Sequence, residues 1–499
     1  MLKIPIISEC RAVTDMDSTC TGRREVTAKN DPISKFWPTI VIMLGLPARG
    51  KTFYAHRLVH YLNWIGMDAK LFGNDGDPLD SFYDVDSGIN NVENFDNNTR
   101  EILECFVQQG FPLSVAKSLY DAFSWLQIEN SYLFCSQSNK LEIIADKDYK
   151  PTVAILVELF LSAKDRLNLY EICSKHSLNV LFVECVISDL LMEEANINAL
   201  IQRSQSKGDL NEVGAFIKQS IFNLQDSYEQ MGNTDGNLPF FRITSQQSPE
   251  SHAHNNFFIN RVRGAHLQRI IFFLMSVSPH FVLNTKSELN AKFCNRVILL
   301  TRHGESESNL RLCIGGNANL SNNGKDFAMK LGDYINKLQL PDLQVWCSRY
   351  IRAKATAEHI KGLLIERQEL NEIHAGLCEE MTYAEIENQF PHEFERRALD
   401  KYRYRYPGGE SYEDVVARLE PLFLDIESAN NVLIICHQAV MRCIMAYIQG
   451  TDKLDLPYIS CPLHTVVKLT FTSTFIQIER IGIGGPAIDT YLPKRQIYR

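Results

Sequence analysis

Short apolar runs alternate with amphipathic stretches along the first half of the chain. The run Thr39–Leu44 ends in a loop of glycine and proline, and Ala55, Leu58 and Leu62 follow at intervals of three and four residues. This spacing is typical of the buried stripe of an amphipathic helix. The further strands predicted in this half are Val153–Leu161 and Val180–Val186. Because strands alternate with helices, the pattern predicts a mostly parallel sheet with helices on both faces.

A second alternating series begins at Val297–Leu300. The strands predicted after it are Leu343–Trp346, Val432–Ile435, Val466–Thr470 and Phe475–Glu479. The helices predicted between them contain Ala328, Leu331 and Ile335, then Ala353–Leu364, Tyr412–Phe423 and a segment after His437. Ser411 and Asp414 have the spacing of a capping box at the start of one helix. The two series together predict an α/β protein with two doubly wound domains.

Length and composition agree with this division. A chain of 499 residues is longer than one hydrophobic core usually serves, so two domains are expected. We predict a flexible tail at 1–37, a first domain at 38–285, a second at 293–485 and a tail at 486–499. The net charge of −9 argues against a nucleic-acid partner. The 13 cysteines form no C-x-x-C pair, and no apolar run reaches the roughly 18 residues that span a bilayer, so we predict a cytoplasmic protein without a membrane partner.

The second series carries a set of residues suited to phosphoryl transfer. Arg302 and His303 directly follow its first strand, where open α/β sheets place their ligands. Arg352, Glu372 and His437 each follow a later strand or lie in a loop. Neutral imidazole is a competent nucleophile, arginine meets two phosphate oxygens with a planar fork, and a carboxylic acid can protonate a leaving oxygen. The combination predicts a phosphatase that works through a phosphohistidine and needs no metal.

This region closely resembles the bisphosphatase domain of the bifunctional 6-phosphofructo-2-kinase/fructose-2,6-bisphosphatase family, a branch of the phosphoglycerate mutase-like histidine phosphatases. The segments that carry the resemblance are Asn371–Ile373, Cys378–Tyr383, Lys401–Pro407, Gly409–Asp414, Cys436–Cys443 and Cys461–Thr465. The resemblance implies hydrolysis of fructose 2,6-bisphosphate to fructose 6-phosphate and phosphate. It also implies a homodimer.

The resemblance assigns a role to each matching residue. His303 is the implied nucleophile, Glu372 the acid, and Arg302, Arg352 and His437 the clamp on the 2-phosphate. Asn309 and Gly315 are implied to line the same phosphate pocket. The positions implied to hold the sugar and its 6-phosphate are Tyr383, Arg397, Lys401, Tyr412, Gln438 and Arg442. Cys313 departs from the family, which usually has an arginine there.

Two further expectations come from charge. A doubly phosphorylated sugar needs a second cationic cluster, which we expect from Arg396 and Arg397 with Lys401, Arg403 and Arg405. Glu379 and Glu380 either keep Glu372 protonated by like-charge repulsion or are solvated at a loop.

The first domain contains a P-loop. Gly45–Thr52 satisfies G-x-x-x-x-G-K-[ST] after a predicted strand and before a predicted helix. Gly45 and Gly50 shape the loop, Lys51 is expected to reach the β- and γ-phosphates of ATP, and Thr52 is expected to bind Mg²⁺. This stretch resembles the kinase domain of the same family.

The metal-holding carboxylate of that kinase is missing. Val157 stands where the family has an aspartate, and Glu158 is one residue away, on the opposite face of a strand. The segment Asp75–Asp80 is acidic where paired arginines are expected. We therefore expect a P-loop NTPase-like domain that binds ATP but has lost kinase activity.

Three alternatives stay open at this point. The enzyme is still bifunctional if Glu158 serves the metal. The phosphatase acts on another sugar phosphate if Cys313 and its loop alter the pocket. A non-catalytic sensor of nucleotide or sugar phosphate is the third, although it would not need the five residues of the phosphatase set.

Overall fold

The computed structural model describes most of both predicted domains. The described residues are 38–73, 103, 106–108, 111–126, 152–158, 162–176, 178–203, 210–232, 235–247, 253–283, 297–471, 476–485 and 487–490. The predicted tail at 1–37 and the acidic segment Asp75–Asp80 lie outside them, as does most of 486–499.

The first sheet is formed by residues between Thr39 and Asn260. Its strands are β1 (Thr39–Leu44), β2 (Asp68–Gly73), β3 (Thr152–Val157), β4 (Asn179–Ile187), β5 (Phe240–Gln247) and β6 (Ala253–Asn260). Its helices are α1 (Lys51–Trp64), α2 (Leu113–Trp125), α3 (Ala163–Lys175), α4 (Leu190–Arg203), α5 (Leu210–Ser227) and α6 (Ala265–Leu283). The strand order is β2-β3-β1-β4-β5-β6, with β6 antiparallel to β5 and the other pairs parallel.

The second sheet begins at Val297. Its strands are β7 (Val297–Arg302), β8 (Gln344–Cys347), β9 (Leu363–Glu366), β10 (Val432–Cys436), β11 (Thr465–Phe471) and β12 (Ile476–Gly482). Its helices are α7 (Glu307–Leu310), α8 (Asn322–Lys337), α9 (Ile351–Ala357), α10 (Tyr383–Gln389), α11 (Pro391–Leu399), α12 (Tyr412–Ser428) and α13 (Gln438–Gln449). The order β12-β11-β7-β10-β8-β9 is parallel from β7 to β9 and antiparallel at β11 and β12.

The alternating pattern predicted this architecture, and the two α/β domains are confirmed. The capping box at the start of α12 is also present, since Ser411 and Asp414 each accept from the other's backbone N–H. One predicted element is wrong. The helix expected over Ala353–Leu364 ends at Ala357, and Leu363–Glu366 forms β9 instead. The apolar pair Leu363 and Leu364 is exposed on this edge strand, so periodicity gave no signal for it.

Helices α1 and α6 of the first domain pack against α12 and α13 of the second, and their apolar side chains share one core cluster. Along one face of α1, the Trp64 indole donates to the Cys443 carbonyl (3.0 Å) and the Tyr61 hydroxyl donates to Glu420 (2.6 Å). Arg57 forms an ion pair with Glu427, which is 1% exposed. The two domains are therefore joined by a buried, hydrogen-bonded interface. Among the described helices, none has the length and apolar character needed to cross a bilayer.

Candidate active site

The carboxyl ends of β7, β8 and β10 meet at one edge of the second sheet. Arg302 is the last residue of β7, and the N–H of His303 donates to the carbonyl of Cys436, the last residue of β10 (3.0 Å). Ser348 follows β8 and its N–H donates to Ile435 (3.1 Å). The parallel register thus brings together residues that are far apart in sequence.

The two ring nitrogens of His303 have different partners. Nδ1–H donates to the Gly304 carbonyl (2.7 Å), and Nε2 accepts from Nε of Arg352 (3.1 Å). Burial, followed by the charges of Arg352 and Arg302, lowers the pKa of His303 well below its ordinary 6.5. The imidazole is therefore neutral, and its lone pair is at Nε2. A nucleophile with this atom already oriented needs no separate base.

Two buried polar atoms beside this ring have no hydrogen-bond partner among the described residues, namely Arg302 Nε and His437 Nδ1. Arg302 is fixed by its Nη1, which donates to the Cys461 carbonyl (2.9 Å). The rings of His437 and His303 have centroids 5.0 Å apart. Buried polar groups are normally paired, so these two atoms indicate a ligand site, and the Arg302 N–H requires a ligand with acceptor oxygens. A phosphoryl group fits that requirement.

Glu372 lies at the start of α13. Its carboxylate accepts from the backbone N–H groups of Ile373 (3.0 Å), Gln438 (3.1 Å) and Ala439 (3.1 Å). His437 is the residue that precedes this helix. The helix start therefore holds the carboxylate and the second histidine next to each other.

The loop after α7 closes the pocket on another side. Asn309 Oδ1 accepts from the N–H (3.0 Å) and the hydroxyl (2.9 Å) of Ser306. Gly315 has φ +67°, and a Cβ there would overlap the carboxylate of Glu379. That carboxylate accepts from the N–H of Gly316 (2.5 Å) and of Ala375 (2.6 Å). Glu379 thus fixes the loop, so it is not simply solvated there.

A cavity of about 470 Å³ connects these groups. Four of the five predicted catalytic residues line it, and the fifth, His437, does not line it but has its ring next to that of His303. The predicted sugar and phosphate residues that line it are Asn309, Gly315, Tyr383, Arg397, Lys401, Tyr412, Gln438 and Arg442. The fold therefore places every residue implied by the resemblance, except His437, in the wall of one cavity.

The cationic end of the cavity is built on tyrosine hydroxyls. Arg397 donates to Tyr406 (2.9 Å) and Tyr383 (3.0 Å), and Arg442 donates to Tyr412 (3.0 Å). Tyrosine hydroxyls orient the guanidinium groups without neutralising their charge.

Lys401 at this end donates to the Pro457 carbonyl (3.0 Å). Burial, with the charges of Arg397 and Arg442, lowers the pKa of Lys401 to about 6. The ammonium form is therefore favoured only when an anion enters.

Three of the basic residues expected in this cluster are elsewhere. Arg396, Arg403 and Arg405 are exposed and do not line the cavity. They form surface ion pairs with Glu393, Asp400 and Asp414 respectively. For Arg403 and Arg405 the expectation was wrong because they alternate with tyrosines, and Tyr402, Tyr404 and Tyr406 are the buried residues of this run. Arg396 lies in the last turn of α11 and is exposed there.

The P-loop lies at the carboxyl end of β1, and Gly50 caps α1 with φ +90°. A Cβ on Gly45 would overlap the carbonyl of Cys185. Lys51 donates to the Gly45 carbonyl, and burial lowers its pKa to about 8 against the opposing charges of Cys185 and Glu158. Thr52 is the second residue of α1.

Arg49 Nη1 in the same loop is buried without a partner among the described residues. The helix start, the glycine cradle and this donor fit a bound phosphate chain.

The end of β3 separates two neighbouring side chains. Val157 packs with the cluster that contains α1, as does every second residue of the strand. Glu158 turns to the other side, where its carboxylate accepts from the Ser118 hydroxyl (2.6 Å) on α2. The alternation predicted from sequence holds, although Glu158 stays within electrostatic range of Lys51. Within the described residues, no cluster of three histidine, cysteine, aspartate or glutamate side chains forms a candidate metal site.

Comparison with known proteins gives matches over both domains. A family model for the histidine phosphatase superfamily (branch 1) matches residues 298–484, and one for 6-phosphofructo-2-kinase matches residues 25–104. A 6-phosphofructo-2-kinase/fructose-2,6-bisphosphatase of Aquarana catesbeiana is 35% identical over 460 residues, which are 92% of this chain and 87% of that protein. The chain belongs to the 6-phosphofructo-2-kinase/fructose-2,6-bisphosphatase family.

A human relative agrees with this membership. The human 6-phosphofructo-2-kinase/fructose-2,6-bisphosphatase 1 is 34% identical over 461 residues, with 92% of this chain and 87% of that protein covered. Among solved structures, the alpha-ribazole phosphatase of Shigella flexneri matches 38% of this chain and 100% of its own, with 21% identity and a TM-score of 0.35.

Several residues that shape this site were not predicted from the sequence. Tyr406 holds Arg397, and Ser348 contacts His437. Ser348 directly follows β8, and that position was the signal that could have found it. Thr490 accepts from Arg302 Nη1 (2.8 Å), and its carbonyl accepts from the Gln438 side chain (3.3 Å). Thr490 follows the last strand in irregular chain, so no periodicity pointed to it.

Proposed function

We propose that the second domain hydrolyses fructose 2,6-bisphosphate to fructose 6-phosphate and phosphate through a phosphohistidine. His303 Nε2 attacks the 2-phosphoryl group while the bond from phosphorus to the sugar oxygen breaks. Glu372 supplies the proton that the leaving oxygen needs. A water molecule then attacks the phosphohistidine, Glu372 takes up its proton, and phosphate departs.

The observation that carries this proposal is the state of the residues around His303. The nucleophilic lone pair accepts from Arg352, and the adjacent Arg302 Nε and His437 Nδ1 are buried without a partner among the described residues. The charge of a transferring phosphoryl group is spread over its oxygens, so fixed donors around it lower the barrier. The second cationic end, with Arg397, Lys401 and Arg442, supports a substrate with two phosphates.

The test is phosphate release from fructose 2,6-bisphosphate without added metal. We expect release by the wild type, and none above background by His303→Ala. Quenching the wild-type reaction is expected to trap an acid-labile phosphohistidine on His303. Equal release by both proteins would refute the mechanism. A wild type that releases no phosphate from fructose 2,6-bisphosphate but does so from another sugar phosphate would refute the substrate.

For the first domain we infer binding of ATP without phosphoryl transfer to fructose 6-phosphate. Gly45–Thr52 would hold the phosphates, and Thr52 is the residue that would meet Mg²⁺, which would neutralise phosphate charge when bound. Support for the loss of transfer comes from the apolar Val157 at the strand end and from Glu158, whose carboxylate is engaged by Ser118. We also propose a homodimer, which the resemblance implies, and a cytoplasmic location, which the sequence composition indicates.

An ATP-dependent assay of fructose 6-phosphate phosphorylation tests this inference. We expect no turnover by the wild type, and binding of ATP that is lost in Lys51→Met. Wild-type turnover that falls in Glu158→Gln would show that the family's bifunctionality is retained with a shifted carboxylate. Val157→Asp is the reciprocal variant, because it returns an acid to the expected position.

A further inference from the structure

His437 has one ring nitrogen engaged by the protein and one that is not. Nε2 lies 2.7 Å from the hydroxyl oxygen of Ser348, and Nδ1 is the buried atom without a partner among the described residues. Which nitrogen carries the hydrogen decides what the ring can offer to a ligand. An Nδ1–H donates to a phosphoryl oxygen, whereas a bare Nδ1 lone pair repels it.

The surroundings disfavour an imidazolium that would carry both hydrogens. Burial, then the charges of Arg352, His303 and Arg302, lowers the pKa of His437 well below 6.5. Arg418 also acts on the ring, and the Tyr350 ring packs edge-on against it at 5.2 Å. A neutral ring has a single hydrogen, so some neighbour must select its place.

Ser348 is the neighbour in a position to do so. Its hydroxyl oxygen accepts from the N–H of Tyr350 (3.2 Å), so the hydroxyl hydrogen is left for one of two acceptors, His437 Nε2 at 2.7 Å or Asn371 Oδ1 at 3.1 Å. Asn371 Oδ1 already accepts from the N–H of Arg349 (3.0 Å) and does not depend on Ser348. The shorter contact and the satisfied amide both favour donation to the histidine.

We propose that Ser348 is a positioning residue that donates to Nε2 of His437 and thereby holds the ring hydrogen at Nδ1, where it faces the phosphoryl group. The opposite arrangement, in which Ser348 donates to Asn371 and Nε2–H donates to Ser348, leaves a bare lone pair for the anion. No proton enters or leaves the site in this selection. The proposal rests on the proposed phosphatase function, because it assigns His437 to the phosphoryl group.

The kinetic test compares Ser348→Ala with Ser348→Thr. Loss of the partner that Nε2 has among the described residues is expected to lower kcat about 10-fold to 100-fold, the range for leaving one buried polar group unsatisfied, with KM changed less than about 3-fold. The threonine hydroxyl is expected to restore most of kcat. Thr301→Val, which removes another buried hydroxyl of the same domain, is the matched control and is expected to keep wild-type kcat. In a His437→Gln background, Ser348→Ala is expected to have no further effect.

The direct test is NMR of the full-length protein labelled with ¹⁵N-histidine, with inorganic phosphate as the probe. The signals of His437 are assigned by their loss in His437→Gln. We expect Nδ1–H with Nε2 unprotonated in the phosphate complex of the wild type, and loss of that preference in Ser348→Ala. An Nε2–H ring in the wild-type complex, or an unchanged kcat in Ser348→Ala, would overturn the proposal. Because phosphate binding is observed independently of turnover, an inactive wild type with the expected tautomer would overturn only the proposed substrate.

Discussion

In each domain the proposed phosphate-binding loop directly follows a buried inner strand of the sheet, β1 in the first domain and β7 in the second. In the first domain, the loop and its lysine are intact, but the neighbouring strand ends in Val157 and sends Glu158 to the opposite side. In the second, the neighbouring strands supply Ser348 and His437, and a following loop supplies Glu372. The comparison indicates that a single loop is enough to bind a phosphate, whereas phosphoryl transfer needs side chains from several strand ends.

The sharpest test of that difference concerns the carboxylate that each domain has near its phosphate loop. Glu372→Gln is expected to lower kcat for phosphate release by about 10²-fold to 10⁴-fold, the usual contribution of a general acid. Glu158→Gln is the matched control and is expected to leave phosphate release at the wild-type rate. Initial rates at saturating substrate measure both, and an equal effect of the two changes would erase the distinction between the domains.

The glycines that shape the loops give a second test. Gly315→Ala forces a Cβ into the carboxylate of Glu379 at positive φ, and Gly45→Ala forces one into the Cys185 carbonyl. Strain of this kind costs on the order of 1–3 kcal/mol, so about 5-fold to 150-fold in the function that each loop serves. We expect Gly315→Ala to impair phosphate release only and Gly45→Ala to impair ATP binding only. Calorimetric titration with ATP beside the phosphatase assay separates them.

The pH dependence of substrate binding tests whether the lysine at the cationic end of the cavity is charged before the substrate binds. Lys401 has a pKa of about 6 in the free protein, so it is mostly neutral above that pH and must take up a proton to pair with a phosphate. Affinity should therefore weaken as pH rises from 6 to 8, by up to about tenfold per unit if one proton is coupled.

The control for this pH dependence is Lys401→Arg, which keeps the charge throughout and retains only the titration of the substrate phosphate. Steady-state KM across this pH range is the measurement. A wild-type profile identical to that of Lys401→Arg would show that Lys401 is charged before the substrate arrives.

The smallest expected effect concerns the contact between the halves. Trp64→Phe removes the hydrogen bond to the Cys443 carbonyl, and it should lower the free energy of unfolding by about 0.5–1.5 kcal/mol. Urea unfolding, followed with a separate probe in each domain, measures this loss of stability. We expect both transitions to move together, and a shift confined to one domain would show that the halves unfold independently.

Much of this arrangement followed from sequence. The strand-end positions of His303 and His437 could be predicted because hydrophobic runs define the strands, and parallel strands bring their carboxyl ends together. Arg403 and Arg405 were misplaced because composition alone does not say which residues of an alternating run face a cavity. Thr490 and the Glu379 clamp depend on contacts between irregular segments, where no periodicity exists to be detected. The Tyr406 hydroxyl beside Arg397 was missed for the same reason.

The interface between α1 and the second domain has a consequence for how this chain can change over evolution. Arg57 meets the nearly inaccessible carboxylate of Glu427, to which the Tyr447 hydroxyl also donates (2.6 Å). Removing the first domain would take Arg57 away from that carboxylate and expose the apolar faces of α12 and α13, which would favour aggregation. Selection for the phosphatase alone would thus be enough to retain the P-loop half, whatever chemistry that half has kept.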